Sequence, residues 1–244
     1  QNQTTMKTAF EFTPSRNTSF RRFAVALLLL LGLSSVPRAA AQSYVLSNLW
    51  SVAAGSPSHP FLADDDRTRG IAYNPVTGHV LVATRTPTNA IFVLDGGTGA
   101  ILGTLPYDTN VITGGTFHVN LVGVTDDGVI YVGNLTTDAI GAAGPYKLYR
   151  WASETAPPQL VYSGDPSSTD AVANNRRFGD SMTIRGTGTG TQILLGTLAQ
   201  NAALLTTGDG TNFTATKIVT DAASGDLRWG LAWGAGDTFW AKQA

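Results

Sequence analysis

The chain has 244 residues, 43% of them hydrophobic and only 14% charged, with 27 Gly, 11 Pro, no Cys and a formal net charge of -1. So few Lys and Arg leave no electrostatic footprint for nucleic acid, the missing Cys excludes a disulfide framework or thiol nucleophile, and the apolar fraction excludes a disordered tail. What remains is a folded domain whose polarity comes from Thr, Ser, Asn and Gly rather than from ions.

Residues 1–5 precede the first Met and are set aside as an upstream remnant. From Met6 a basic stretch carries Lys7, Arg16, Arg21 and Arg22, and an apolar run of 11 residues follows from Phe23 to Leu33. Small residues, Ala39-Ala40-Ala41, then stand before Gln42. These are the three parts of a secretory signal, and the run is well short of the ~20 residues of a permanent membrane span. The sequence therefore predicts a signal-peptide helix over 6–41, cleavage after Ala41, no stable transmembrane anchor in this chain, and a secreted or cell-envelope location. The remaining 42–244 keeps 11 of the 16 bases and 16 of the 17 acids, a net of -5, with no electrostatic reason to adhere to anionic lipid or nucleic acid.

Beyond the leader the chain repeats one grammar. A short apolar strand begins on Gly, a turn follows, and a second apolar strand returns: Gly70–Tyr73 with His79–Thr84, Gly123–Thr125 with Val129–Gly133, Gly179–Ile184 with Gln192–Gly196, and Gly230–Trp233 with Thr238–Ala241. The leading glycines are 53, 56 and 51 residues apart. Each of the first three hairpins precedes another: Ala90–Asp95 with Ala100–Leu105, Tyr146–Trp151 with Gln159–Ser163, and Asn201–Thr207 with Asn212–Val219. Apolar or alternating runs of this length, bounded by Gly, Asn, Asp and Pro, are strands. Four antiparallel strands every ~50 residues is the spacing of β-propeller blades. The expected fold is all-β, a partial β-propeller over 42–244 of about three and a half blades, incomplete at its C-terminus, with an added strand at Tyr44–Val52. A four-blade ring or a sandwich of similar strands is the competing architecture.

The strings RGIAYNPVTGHVLVATR (69–85), VLDGGTGAILGTL (93–105), TGGTFHVNLVGVTDDGVIYVGNLTT (113–137), YKLYRW (146–151), YSGDP (162–166) and RFGDSM (177–182) resemble a group of exported bacterial proteins carrying a domain of unknown function, number 4623. The resemblance covers nearly all of 44–244. It implies an extracellular or envelope address and a propeller-like body, and it transfers no site residue.

For chemistry the sequence offers little. His59, His79 and His118 lack the spacing of a helical metal site, and no G-x-S-x-G nucleophile accompanies them. Asp64-Asp65-Asp66 lacks the alternation of a cation loop and reads as solvated. Gly186 to Thr191 lacks a P-loop ending and a following helix. No cofactor and no metal are expected. The most suggestive pattern is Arg beside the Gly of each inner strand: Arg69-Gly70, Arg177-Phe178-Gly179 and Arg228-Trp229-Gly230. Three guanidiniums round one mouth could grip a carboxylate or phosphate; alternatively each pairs with an acid on the adjoining blade, such as Asp180 or Asp226, as a latch. The expected ligand-binding set is Arg69, His118, Asp180, Arg177, Arg228 and Trp229. The functional expectation is a non-catalytic scaffold or recognition module, with an unknown extracellular ligand or envelope component as partner. The alternative is a propeller hydrolase or lyase acting on a lactone or glycan through an axial polar site of His118, Asp180 and the arginines.

Overall fold

The structure is a computed structural model that describes residues 47–168, 170–172, 176–198, 201–220 and 226–242. The leader expected over 6–41 lies outside these residues, as do the first three of the strand expected at 44–52. Residues 47–52 hold no strand.

The described chain is all-β. β1 (Thr68–Asn74), β2 (His79–Thr84), β3 (Ala90–Asp95) and β4 (Ile101–Thr104) form the first sheet. β5 (Phe117–Val124), β6 (Ile130–Leu135), β7 (Tyr146–Trp151) and β8 (Gln159–Gly164) form the second. The third comprises β9 (Met182–Arg185), β10 (Gln192–Gly196), β11 (Asn201–Thr207) and β12 (Phe213–Val219), and β13 (Leu231–Trp233) pairs with β14 (Phe239–Ala241) as a two-stranded sheet. Every ladder is an antiparallel meander in chain order. Short polar turns set the registers. In the β11–β12 turn, Asp209 accepts from the backbone N–H groups of Thr211 and Asn212 at 2.8 and 2.7 Å, the local bonding for which Asp is favoured in turns. The Asn212 side chain and these N–H groups hold its carboxyl far below the usual carboxylate range.

Side chains alternate across a strand, and here the alternation divides them between successive cores. Leu81 and Ala83 of β2 face the second sheet and pack with Val122, Ile130, Val132, Tyr149 and Trp151. Val80 and Val82 of the same strand face the other way, where Phe61, Leu62 and Trp50 of the preceding segment cover them. Tyr131 of β6 packs instead with Ile193, Leu195, Ala203 and Leu205 of the third sheet, and Leu194 and Ala202 pack against Leu231, Trp233 and Phe239. Each interior sheet is therefore clad on both faces by a neighbour, and β6 is buried along its whole length. A two-layer sandwich has one core; serial stacking of this kind is how propeller blades pack. The Trp151 indole is fully buried yet satisfied, donating to the Pro106 carbonyl at 2.8 Å.

The innermost strands β1, β5, β9 and β13 adjoin in that order, and they run the same way. Gly70 lies against Asn120–Val122 of β5, and further along Asn74 and Val76 lie against Gly128, beyond the end of β5. Polar clasps join the far ends: Glu154, from the β7–β8 loop, accepts from Asn74 Nδ2 at 2.8 Å and Thr77 Oγ1 at 2.6 Å, and lies 2.7 Å from His79 Nδ1. On the face of β1 turned away from β5, Ile71 and Tyr73 are 72% and 60% exposed.

Leu195→Ala, which opens the core between the second and third sheets, should cost ~2–5 kcal/mol in chemical denaturation. Ile71→Ala should stay within ~0.5 kcal/mol. Equal costs for the two would contradict the sheet facing described here.

Candidate functional site

The common direction of the inner strands gathers their starts at one mouth. There the segment leading into β9 is pinned from three sides. Phe178 exchanges backbone hydrogen bonds with Thr136 at 2.9 and 3.1 Å, Asn120 Nδ2 donates to the Gly179 carbonyl at 2.7 Å, and Ser181 Oγ donates to the Leu227 carbonyl at 2.8 Å. Gly179 has φ +105°, and a Cβ there would stand 2.0 Å from the Asn134 carbonyl oxygen. No other residue type can occupy that position without moving the chain.

This pinning carries Asp180 to the mouth with its side chain only 7% exposed. Arg177 grips both its oxygens, Nε at 2.6 Å and Nη2 at 3.0 Å, the fork geometry that suits a carboxylate. Arg69 reaches across from β1 to 3.8 Å. Arg228 feels the same carboxylate electrostatically but is itself held by Asp226, which accepts from Nε at 2.7 Å and Nη2 at 2.5 Å. Asp226 also accepts from the Arg228 backbone N–H at 3.1 Å, capping the 3-10 turn Leu227–Trp229. The Arg228 hydrogen bonds hold the Asp226 carboxyl below the usual range and raise the guanidinium. Three of the expected arginines thus do converge around Asp180. Arg177 and Arg228, however, pair within their own segments rather than with an adjoining sheet, and both lie outside the strands, β9 starting at Met182 and β13 at Leu231. Among these pairs only Arg69–Asp180 spans sheets.

His118 does not join this group. It lies on β5 and lines a separate pocket of about 420 Å³ together with Asp66, Arg67, Arg85, Asn89 and Phe117. Its imidazole makes no hydrogen bond among the described residues. His59 is buried and bonded through Nε2 to the Gly99 carbonyl at 2.9 Å, and His79 belongs to the Glu154 clasp. Trp50, Trp151 and Trp233 pack in the cores, whereas Trp229 and Trp240 are exposed. Among the described residues no three His, Asp or Glu side chains gather as a metal site.

Sequence reasoning missed Arg85. Its guanidinium lies 3.5 Å from the centre of the Phe117 ring and donates through Nη2 to the Asp66 carbonyl at 2.6 Å. The only signal was its position, an Arg directly after the apolar run of β2 and three residues past Val82.

The fold and mouth define an all-β domain built of blade-like sheets, with its charges closed upon one another. Residues 39–226 match the sequence model of the family described as Domain of unknown function (DUF4623), and the chain belongs to that family. A crystal structure of a DUF4623 family protein from Bacteroides eggerthii DSM 20697 is similar in fold, with a TM-score of 0.54 and 19% sequence identity. The similarity covers 71% of this chain and 40% of that one, so this chain spans well under half the length of that protein. No curated protein matches.

Because the folded-state pKa of Asp226 is depressed, its pair stabilises the fold above the unfolded value of ~3.9 and loses that contribution as pH falls further. Asp226→Asn should therefore lose on the order of 1–3 kcal/mol at pH 7 and unfold less steeply with acid. Urea melts at neutral and acid pH check this; a deficit unchanged in acid would contradict it.

Proposed function

We propose that this domain is a non-catalytic recognition or scaffold module, working outside the cell or in the envelope after removal of residues 1–41. The observation that carries the reading is the closure of charge at the mouth. Asp180, the carboxylate best placed for catalysis, has both oxygens engaged by Arg177 and a second cation, Arg69, beside it. A general base needs a lone pair within reach of a substrate proton, and a carboxylate held by a forked guanidinium offers poor access to one. Its proposed partner in the enzymatic alternative, His118, is lodged in a different pocket. A latched mouth suits a rigid platform, with the loops and exposed Trp229 and Trp240 on its periphery providing contact surface. The unknown ligand is an extracellular or envelope component, and the net charge of 42–244 argues against nucleic acid.

Two measurements test the reading. Expressed with its leader in a Gram-negative host, the protein should be recovered outside the cytoplasm with Gln42 as its N-terminus by intact mass; cytoplasmic retention with the leader attached would overturn the export claim. On a glycan array the protein should retain a ligand without releasing products. Turnover that disappears in Asp180→Asn would establish the hydrolase or lyase alternative instead.

A further inference from the structure

Arg85 and Arg185 occupy related places. Arg85 directly follows β2 and Arg185 ends β9, and each lays its guanidinium on an aromatic ring of the next sheet, Arg85 on Phe117 at 3.5 Å and Arg185 on Trp233 at 3.8 Å. They differ in what their nitrogens find. Arg185 is satisfied throughout, by Gln192 Oε1 at 2.7 Å, the Gly236 carbonyl at 2.5 Å and the Asp237 carboxylate at 3.4 Å. Arg85 is more deeply placed, its side chain only 9% exposed, and its Nη1 is buried with no hydrogen-bond partner. An orphaned donor on a buried cation is costly. The Asp66 carboxylate, 3.6 Å from Nη2, is its nearest counter-charge, and that side chain is mostly in solvent.

The under-satisfied cation lines the 420 Å³ pocket already described, a volume in the range of small-molecule sites. Arg67, whose backbone carbonyl accepts from the Arg85 N–H at 3.0 Å, lines the same space, with Asn89, Thr116 and His118 around it. Arg67 is paired with Asp65, Nε to Oδ2 at 3.0 Å, whereas Arg85 has only the looser, solvent-facing Asp66 carboxylate as counter-charge. The amide, hydroxyl and imidazole are donors and acceptors of the kind that bind sugar hydroxyls.

We propose that this pocket binds a small polyhydroxylated carboxylate of the uronate or aldonate class, its carboxylate meeting Arg85 and Arg67 and its hydroxyls meeting Asn89, Thr116 and His118. The site is separate from the Asp180 mouth, and its existence does not depend on the recognition reading above. A forked guanidinium meets a planar carboxylate with two bonds, where a Lys ammonium offers a point charge.

Isothermal titration of the purified protein with glucuronate, galacturonate and gluconate, and separately with glucose and inorganic phosphate, tests the proposal. At least one of the acids should bind at concentrations up to about 10 mM, while glucose, lacking the carboxylate, binds at least ~10-fold more weakly. Arg85→Lys should weaken the acid by about tenfold or more. Because Arg85 also packs on Phe117, Asn89→Ala and His118→Ala provide a second line; both should lower affinity while thermal unfolding stays unchanged. Absence of binding by every acid would overturn the proposal. So would glucose or phosphate binding as tightly as the best acid, or an affinity indifferent to Asn89→Ala and His118→Ala.

Discussion

Between β1 and β5 the backbones come so near that a Cβ on Gly70 would stand 2.7 Å from the Val122 nitrogen and 2.9 Å from the Leu121 Cα. That approach depends on a strand position with no side chain on the side facing its neighbour. It sets how far apart the first two sheets lie, and so whether Leu81 and Ala83 can meet Val122, Ile130 and Val132 across the gap. The core between the first two sheets depends on that spacing.

Once the starts are gathered, electrostatics decides what the mouth becomes. Its cations and carboxylates are close enough to saturate one another, and Asp180 and Asp226 each hold a forked arginine. Buried or half-buried pairs of this sort contribute more to geometric definition than to net stability. Arg69–Asp180 fixes the first sheet relative to the third, as the Glu154 clasp fixes the far ends of the first two. The charges at the mouth are consequently paired with one another, whereas the Arg85 guanidinium beside the separate pocket keeps a buried nitrogen without a partner.

Most strands were legible because each follows the two-residue period and ends on turn residues with their own bonding. β2, β3, β7, β10 and β11 coincide with their expected spans. The misses have physical causes. β5 begins at Phe117, six residues ahead of Gly123, because Thr-Gly-Gly-Thr reads as a loop and conceals the strand that follows it. Gly179 was taken for a strand start, yet its φ of +105° belongs to a turn dictated by the Asn134 carbonyl of another sheet. Trp50 marks no strand: its indole donates to the Gly96 carbonyl at 2.9 Å and its ring rests on Gly99, tying its segment down through a side chain. Arginines near the inner-strand starts and their acids, Asp180 and Asp226, could be picked out from sequence, but not that Arg177 and Arg228 pair within their own segments, which depends on how loops fold back. Arg85 was invisible for the opposite reason, since a charged residue at a strand end ordinarily points to water.

The close packing of the inner strands is tested most directly by comparing Gly70→Ala with Gly208→Ala, a position where a Cβ meets nothing within 4 Å. Urea denaturation should show Gly70→Ala destabilised by ~1–3 kcal/mol and Gly208→Ala within ~0.5 kcal/mol of the parent. A Gly70→Ala protein as stable as the parent would mean that β1 and β5 do not meet as described, and the stacked arrangement would have to be abandoned.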